Sequence, residues 1–284
     1  MIVAPESLPA PRLRLWMPPI RLRGGWGVVV LGVITLLALC GPWLVSHGQV
    51  VDPTGLPFTA PGHGGYLLGT DEVGRSVASR LVYGMRTSWF SALALVASGV
   101  ILGSVVGLVA GAAGGIIDSI LMRICDLFLA LPATLLAIAI VSAIGASLIH
   151  TLVALGVVWW AYYARIIRGE VRALAARPHL EAASLSGVSR VRIGLRHLLP
   201  GAIPVIVVTA SLDIGACIVT FASLSFIGLG PAPPAPELGS MAAQGITYLL
   251  TDWWIPVLPG VVVFLLAFLA NLSGDAIRSA FSDR

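Results

Sequence analysis

The chain has 284 residues, 57% of them hydrophobic and only 11% charged, with a mean hydropathy of +0.96. Soluble domains run at about 45–50% apolar and about 25% charged, so a water-soluble fold is excluded and the bilayer is the solvent that fits. The net charge is +4, carried by arginine alone because lysine is absent, and no aromatic-basic interleaving points to nucleic acid.

Residues 1–25 hold Arg12, Arg14, Arg21 and Arg23 among five prolines and read as a polar tail. The first apolar run, Trp26 to Val45, is twenty residues long. At 1.5 Å per residue it covers about 30 Å, the thickness of the hydrocarbon core. No small-residue cleavage site follows it, so the expectation is an uncleaved first transmembrane helix over 26–46. Residues 47–87, rich in proline and glycine, are expected to form an extramembrane loop.

Further apolar runs cover about Ser88–Ala112, Ile120–Ile144, Leu148–Ile167, Ile203–Leu229 and Trp254–Ser273. The third and fourth spans are separated only by Gly145-Ala146-Ser147, a tight hairpin. The expected architecture is all-α and polytopic with six transmembrane helices. A five-helix core fills 88–275, a cytoplasmic loop lies at 168–202, and a short tail runs over 276–284. With the N-terminus inside, fourteen of the seventeen arginines fall on the inner side. That bias makes both termini and the 168–202 loop cytoplasmic.

Several residues stand out within the spans. Gly99, Gly103, Gly107, Gly111 and Gly115 recur every fourth position and line one helix face, permitting close approach of a neighbour. Asp213 sits deep in the fifth span. An intramembrane carboxylate is costly, so Asp213 is a candidate for the substrate pathway, against the plainer reading of an interhelical hydrogen bond. Asp126 and Asp275 fall near span ends, within reach of water or arginine. The three cysteines, Cys40, Cys125 and Cys217, lie in apolar stretches and read as small fillers; neither they nor the scattered histidines have metal-ligand spacing.

The loop around Arg177–Gly187 carries the most local punctuation. Pro178 suits a first helical turn, Glu181 complements the helix dipole, and Gly187 suits a left-handed end. Ala182 and Ala183 keep one face thin enough for another protein to approach. A second helical piece, Arg190 to Leu199, is expected to be broken by Pro200 before the fifth span. Pro231–Pro236 reads as a stiff extended spacer.

Glu181-Ala182-Ala183, Gly187 and Leu199-Pro200 together resemble the EAA loop of bacterial ABC-importer permeases. Leu68-Gly69-Thr70-Asp71-Glu72-Val73-Gly74-Arg75-Ser76 resembles the LGTDxxGRD segment of the C-type subunit of dipeptide/oligopeptide permeases, with Ser76 in place of the usual aspartate. Leu224–Gly230 and Asn271–Arg278 are similar to that family's LSFLGLG and NLLGDxLR stretches. The resemblance is collinear over roughly 66–284. It implies a type I ABC-importer permease fold and an inner-membrane location. It implies coupling to an ATPase through Glu181, Ala182, Ala183, Gly187, Leu199 and Pro200. It also implies partners: a second permease subunit in a heterodimer, two ATPase subunits that hold ATP and Mg, and an extracytoplasmic substrate-binding protein. The outer segments Gln49–Arg86 and Pro231–Asp252 are where that protein is expected to touch.

No cofactor is expected in this chain. Without lysine it cannot carry a GxxxxGK[ST] phosphate loop, so it is not expected to be an enzyme. Peptide is the favoured substrate, with nickel, glutathione and haem as alternatives. A stand-alone secondary transporter or channel, or a non-transporting membrane scaffold, are the other classes weighed. The first would need proton or sodium sites and usually an internal repeat, and no repeat is visible between the halves.

Overall fold

The structure, a computed structural model, describes residues 22–45, 48–178, 186 and 188–282. Among these the regular elements are all helical, and residues 52–76 form an irregular loop with one isolated bridge between Thr70 and Ser76. The helices are α1 (Leu22–Cys40), α2 (Val77–Ala113), α3 (Gly115–Leu129), α4 (Ala133–Ile144), α5 (Leu148–Ala175), α6 (Leu199–Leu224), α7 (Leu238–Gly245) and α8 (Trp254–Ser282). Four stretches are long and apolar enough to cross a bilayer: Gly25–Leu44, Val77–Ala113, Gly194–Leu229 and Trp254–Phe281. The pair α3 and α4 makes a fifth if taken as one span. The remaining member of the expected six, α5, is long enough, but His150, Arg165, Arg168, Glu170 and Arg172 dilute its apolarity.

Local chemistry moves several expected boundaries. α2 starts at Val77, not Ser88, because Ser76 caps it: the Ser76 hydroxyl accepts from Ser79 N–H. Residues 77–87 therefore belong to a helix and not to the outer loop. The expected straight span over Ile120–Ile144 is broken between α3 and α4 by a 79° bend. Pro132 is the cause, since it lacks an N–H and disfavours helical geometry at Leu131. α4 ends at Gly145, with φ +94°, and Ser147 caps α5 by accepting from His150 N–H, so the connection between them is as short as the sequence implies. Pro200 does not break the chain. It occupies the first turn of α6, where a missing N–H costs nothing, and a π-turn over Gly194–Leu198 joins the preceding turn to α6 without interruption. α8 runs on through Ser282, with Ala276 and Ile277 buried, so 276–282 is helix and not tail. Pro231–Pro236 is not extended: Ala235 N–H donates to Ala232 C=O and closes a turn.

The largest helix–helix seam joins α2 to α5. Gly99 faces Trp159 and Tyr163, Gly103 faces Trp160, Tyr163 and Ala164, Gly107 faces Ala164, Ile167 and Arg168, and Gly111 faces Arg168 and Val171. The partner number rises with the glycine number, so the two helices run parallel. The chain between them, α3 and α4, must therefore return to the end from which α2 set out. Gly115, the fifth glycine of the expected series, is not on this face; it opens α3 with φ +55°. A β-carbon at Gly103 would lie 2.4 Å from Tyr163 Cβ and 2.8 Å from Trp160 O. Lipid tails are as apolar as leucine, so close packing of this kind, not withdrawal from water, holds such helices together.

α6 packs between α2, α5 and α8, and α1 lies on α8. The central core is made by Trp89, Leu95, Leu155, Ile218, Phe221 and Leu224. Trp89 Nε1 donates to Thr35 Oγ1 at 3.1 Å and ties α1 to α2.

Candidate functional site

Three polar constellations interrupt the apolar bundle, at its two ends and in its middle. The first lies where the 176–198 loop joins the helices. Glu181, Ala182, Ala183 and Gly187 fall outside the described residues; Leu199 and Pro200 are described and open α6, Leu199 half-buried and Pro200 exposed. The loop's roots form one small core: Ile167, Val171 and Leu174 of α5 meet Ile193, Leu198 and Ala202. Gly201 lets Leu174 in, since a β-carbon there would stand 2.8 Å from Leu174 Cδ1. Arg168 grips Asp118 of α3 through the Nε–Nη2 edge of its guanidinium, with Nη2 2.6 Å from Oδ2, and Arg172 Nη1 reaches the same oxygen at 3.4 Å. The described roots of this loop are thus packed on α5 and α6, and α5 is tied to α3 through Asp118. Arg165 pairs with Asp126 at the same end of the bundle, while Asp275 is exposed.

The middle constellation centres on Asp213. It is fourteen residues into α6 from Leu199, a rise of about 21 Å, and so falls well inside a hydrocarbon core about 30 Å thick. Trp159 Nε1 donates to Asp213 Oδ2 at 2.6 Å, Tyr163 Oη donates to the same oxygen at 2.9 Å, and Cys217 Sγ lies 3.8 Å away. Tyr163 and Trp159 are the side chains that cover Gly99, so the carboxylate is positioned by the glycine seam. The sequence singles out Asp213 but not the aromatic pair that orients it.

The third constellation is built on Asp71, in the LGTDEVGRS stretch. Asp71 Oδ1 accepts from the backbone N–H of Val73 and Arg75, and Oδ2 takes Arg75 Nε at 2.6 Å with Arg80 Nε at 3.6 Å. Gly74, at φ +91°, and Gly69, at φ +75°, supply the left-handed turns this knot needs. Arg80 is 2% exposed and donates to Val50 C=O and Pro234 C=O, joining the first loop to the turn before α7. Trp254 Nε1 donates to Thr70 C=O and adds the start of α8. Glu237, wholly buried, caps α7 by accepting from Gly239 and Ser240 N–H, and also accepts from Ser88 Oγ of α2. Burial pushes the Glu237 carboxyl above its ordinary range, against the opposing pull of those bonds. Arg80, Ser88 and Glu237 were missed in the sequence. An arginine eight residues before a predicted span, a serine at its first position, and an acid just before the Leu238–Gly245 stretch are the signals that could have marked them.

The binding-protein-dependent transport system inner membrane component family matches residues 75–284, most of the chain. The chain belongs to that family. The permease is 37% identical over 253 residues to the probable D,D-dipeptide transport system permease protein DdpC of Escherichia coli K12, covering 88% of this chain and 84% of that one. It is 34% identical over 282 residues to the di/tripeptide transport system permease protein DppC of Pseudomonas aeruginosa UCBPP-PA14, covering 97% and 93%. Among solved structures it is similar to a chain of the MetNI methionine ABC transporter in an inward-facing conformation, with a TM-score of 0.53 and 22% identity over 71% of this permease and 96% of that chain. A chain of an amino acid ABC transporter matches with a TM-score of 0.53 and 20% identity over 72% and 94%. At those identities the structural likeness establishes the fold, the type I importer permease bundle. The permease is thus a membrane-embedded transport subunit of an ABC importer, a family that works with a separate ATPase and a substrate-binding protein and is not itself enzymatic.

Proposed function

We propose that this permease forms half of a peptide pathway. The observation that carries the reading is coverage: peptide permeases align with it over most of their length, 93% in the di/tripeptide case. The partner permease is a different chain, two ATPase subunits supply ATP and Mg, and an external binding protein delivers substrate. In this reading the 176–198 end and both termini are cytoplasmic, supported by the fourteen of seventeen arginines that fall on that side.

The coupling loop around Glu181–Gly187 rides on roots packed against α5 and α6 and tethered to α3 through Asp118. ATP closes the ATPase pair, the loop moves, and those helices reorient; hydrolysis reverses the change. ATP drives the switch only because it binds one state better than the other.

The test is purification through a tag on this chain, with ATP hydrolysis and uptake of labelled dialanine measured in proteoliposomes, for wild type, Glu181→Lys and Gly187→Val. A co-purifying ATPase whose hydrolysis and uptake are lost together in the variants supports the reading. Uptake by the wild-type chain purified alone, or normal coupling in both variants, would sink it.

A further inference from the structure

Asp213 is left half-used by its own chain. Its Oδ2 takes all three contacts, from Trp159, Tyr163 and Cys217. No bond within the described residues ends on Oδ1. That atom is also absent from the sealed polar atoms without a partner, which are Ser104 Oγ and Ser225 Oγ. Oδ1 therefore keeps accessible surface in the half-buried Asp213. No ion pair among the described residues includes Asp213; the pairs all lie on Asp71, Glu72, Asp118 and Asp126.

A carboxylate oxygen at mid-bilayer depth cannot face lipid without a large penalty, so its open side is the pathway or a partner subunit. The groups around it narrow what can arrive there. The indole N–H and phenol O–H are donors, already spent on Oδ2, and the thiol is a weak donor. Beyond the carboxylate they add one phenol oxygen, so a hard metal ion, which takes six or more oxygen ligands, finds no coordination set among the described residues. An ammonium group carries three donors and no acceptor, and one well-oriented carboxylate oxygen satisfies its main demand.

We propose that Asp213 Oδ1, with the carboxylate fixed by Trp159 and Tyr163, is a transit site for the substrate's free ammonium group, the N-terminus of a peptide. The inference rests on the peptide reading above. The same geometry explains why Oδ2 collects the donors: fixing one oxygen aims the other.

The complete transporter, without its external binding protein, is placed in nanodiscs and titrated with dialanine and with N-acetyl-dialanine, following saturation-transfer NMR. Wild type is expected to favour the free amine by about tenfold, the equivalent of one modest charged contact. Asp213→Asn keeps an acceptor oxygen for Trp159 and Tyr163 and is expected to abolish the preference; Asp213→Glu restores part of it. Equal signals for the two peptides in wild type, or an unchanged preference in Asp213→Asn, overturn the proposal. If wild type shows no preference and Asp213→Asn instead weakens association with the partner permease, Oδ1 belongs to an interface ion pair and the proposal fails. Dialanine uptake by the full system is measured alongside. Uptake without preference removes this inference and leaves the peptide reading standing; no uptake of any peptide removes both.

Discussion

Ser88 Oγ donates to Glu237 Oε1 at 2.9 Å, joining two residues 149 positions apart. Through this bond α2 holds the cap of α7. Burial raises the Glu237 carboxyl above its ordinary value, so folding shifts the group toward the protonated form relative to the unfolded chain. A raised folded pKa contributes stability that is complete below the unfolded value, about 4.3, and is lost as pH rises through the folded one. Amide exchange over Leu238–Gly245, corrected for intrinsic rates, is expected to quicken as pH climbs above the ordinary carboxylate range. Glu237→Gln should flatten that dependence. A pH-independent wild type would remove the argument.

Gly103 is the tightest point of the α2–α5 seam, and two of the atoms a β-carbon would meet, Trp160 O and Ala164 N, are backbone. Backbone cannot rotate away as a side chain can. Gly103→Ala is expected to cost about 1–3 kcal/mol, the usual range for overpacking. Gly32→Ala, where nothing lies within 4 Å, is the matched control and should be neutral or slightly stabilising. Thermal melting of the purified complex decides it; equal melting temperatures would mean that the seam can open cheaply.

Asp71 faces two arginines whose side chains are 8% and 2% exposed, Arg75 and Arg80. Removing the shared anion leaves buried positive charge uncompensated. Asp71→Ala is expected to destabilise the outer loop by about 3–5 kcal/mol. Asp71→Asn, which retains an acceptor for the Val73 and Arg75 amides, should cost less. Limited proteolysis between residues 48 and 76 measures the difference, and identical cleavage rates for the two variants would show that charge is not the issue.

Leu174 is 7% exposed and packs into the space over Gly201 at the root of the loop. Leu174→Ala should leave a cavity costing about 2–5 kcal/mol, within the range for core leucines. If the roots transmit loop motion, the variant's ATP hydrolysis should lose its stimulation by substrate while the subunits still assemble. Full stimulation would place transmission elsewhere.

Much of the architecture is written into composition and spacing. Runs of apolar residues about 20 long, the four-residue glycine period and the arginine asymmetry each follow from what a bilayer permits, and each is local in sequence. Where local signals compete, hydropathy misleads. It starts α2 at Ser88 because Arg80 and Arg86 dilute the first turns, although Ser76 caps the helix and Arg80 is buried against carbonyls and Asp71. It reads through Pro132 because leucine and alanine continue on both sides, while the missing N–H bends the helix by 79°. It ends the bundle at residue 275, although α8 continues as a buried face.

The sequence by itself determined that the chain lives in a membrane, that glycines open one face of α2, and that Asp213 puts a carboxyl group in an apolar span, because these depend on solvent and on residues a few positions apart. Only the tertiary structure decided which helix fills that face and what stands around the carboxyl group. The glycine seam meets α5 in parallel, sixty positions along the chain at each step from Gly103–Tyr163 to Gly111–Val171. That register brings Trp159 and Tyr163 to one oxygen of Asp213 and leaves the other open. Contacts of that range carry no sequence period. They arise when close-packed helices have one arrangement in which both the glycine face and the buried polar groups are satisfied at once.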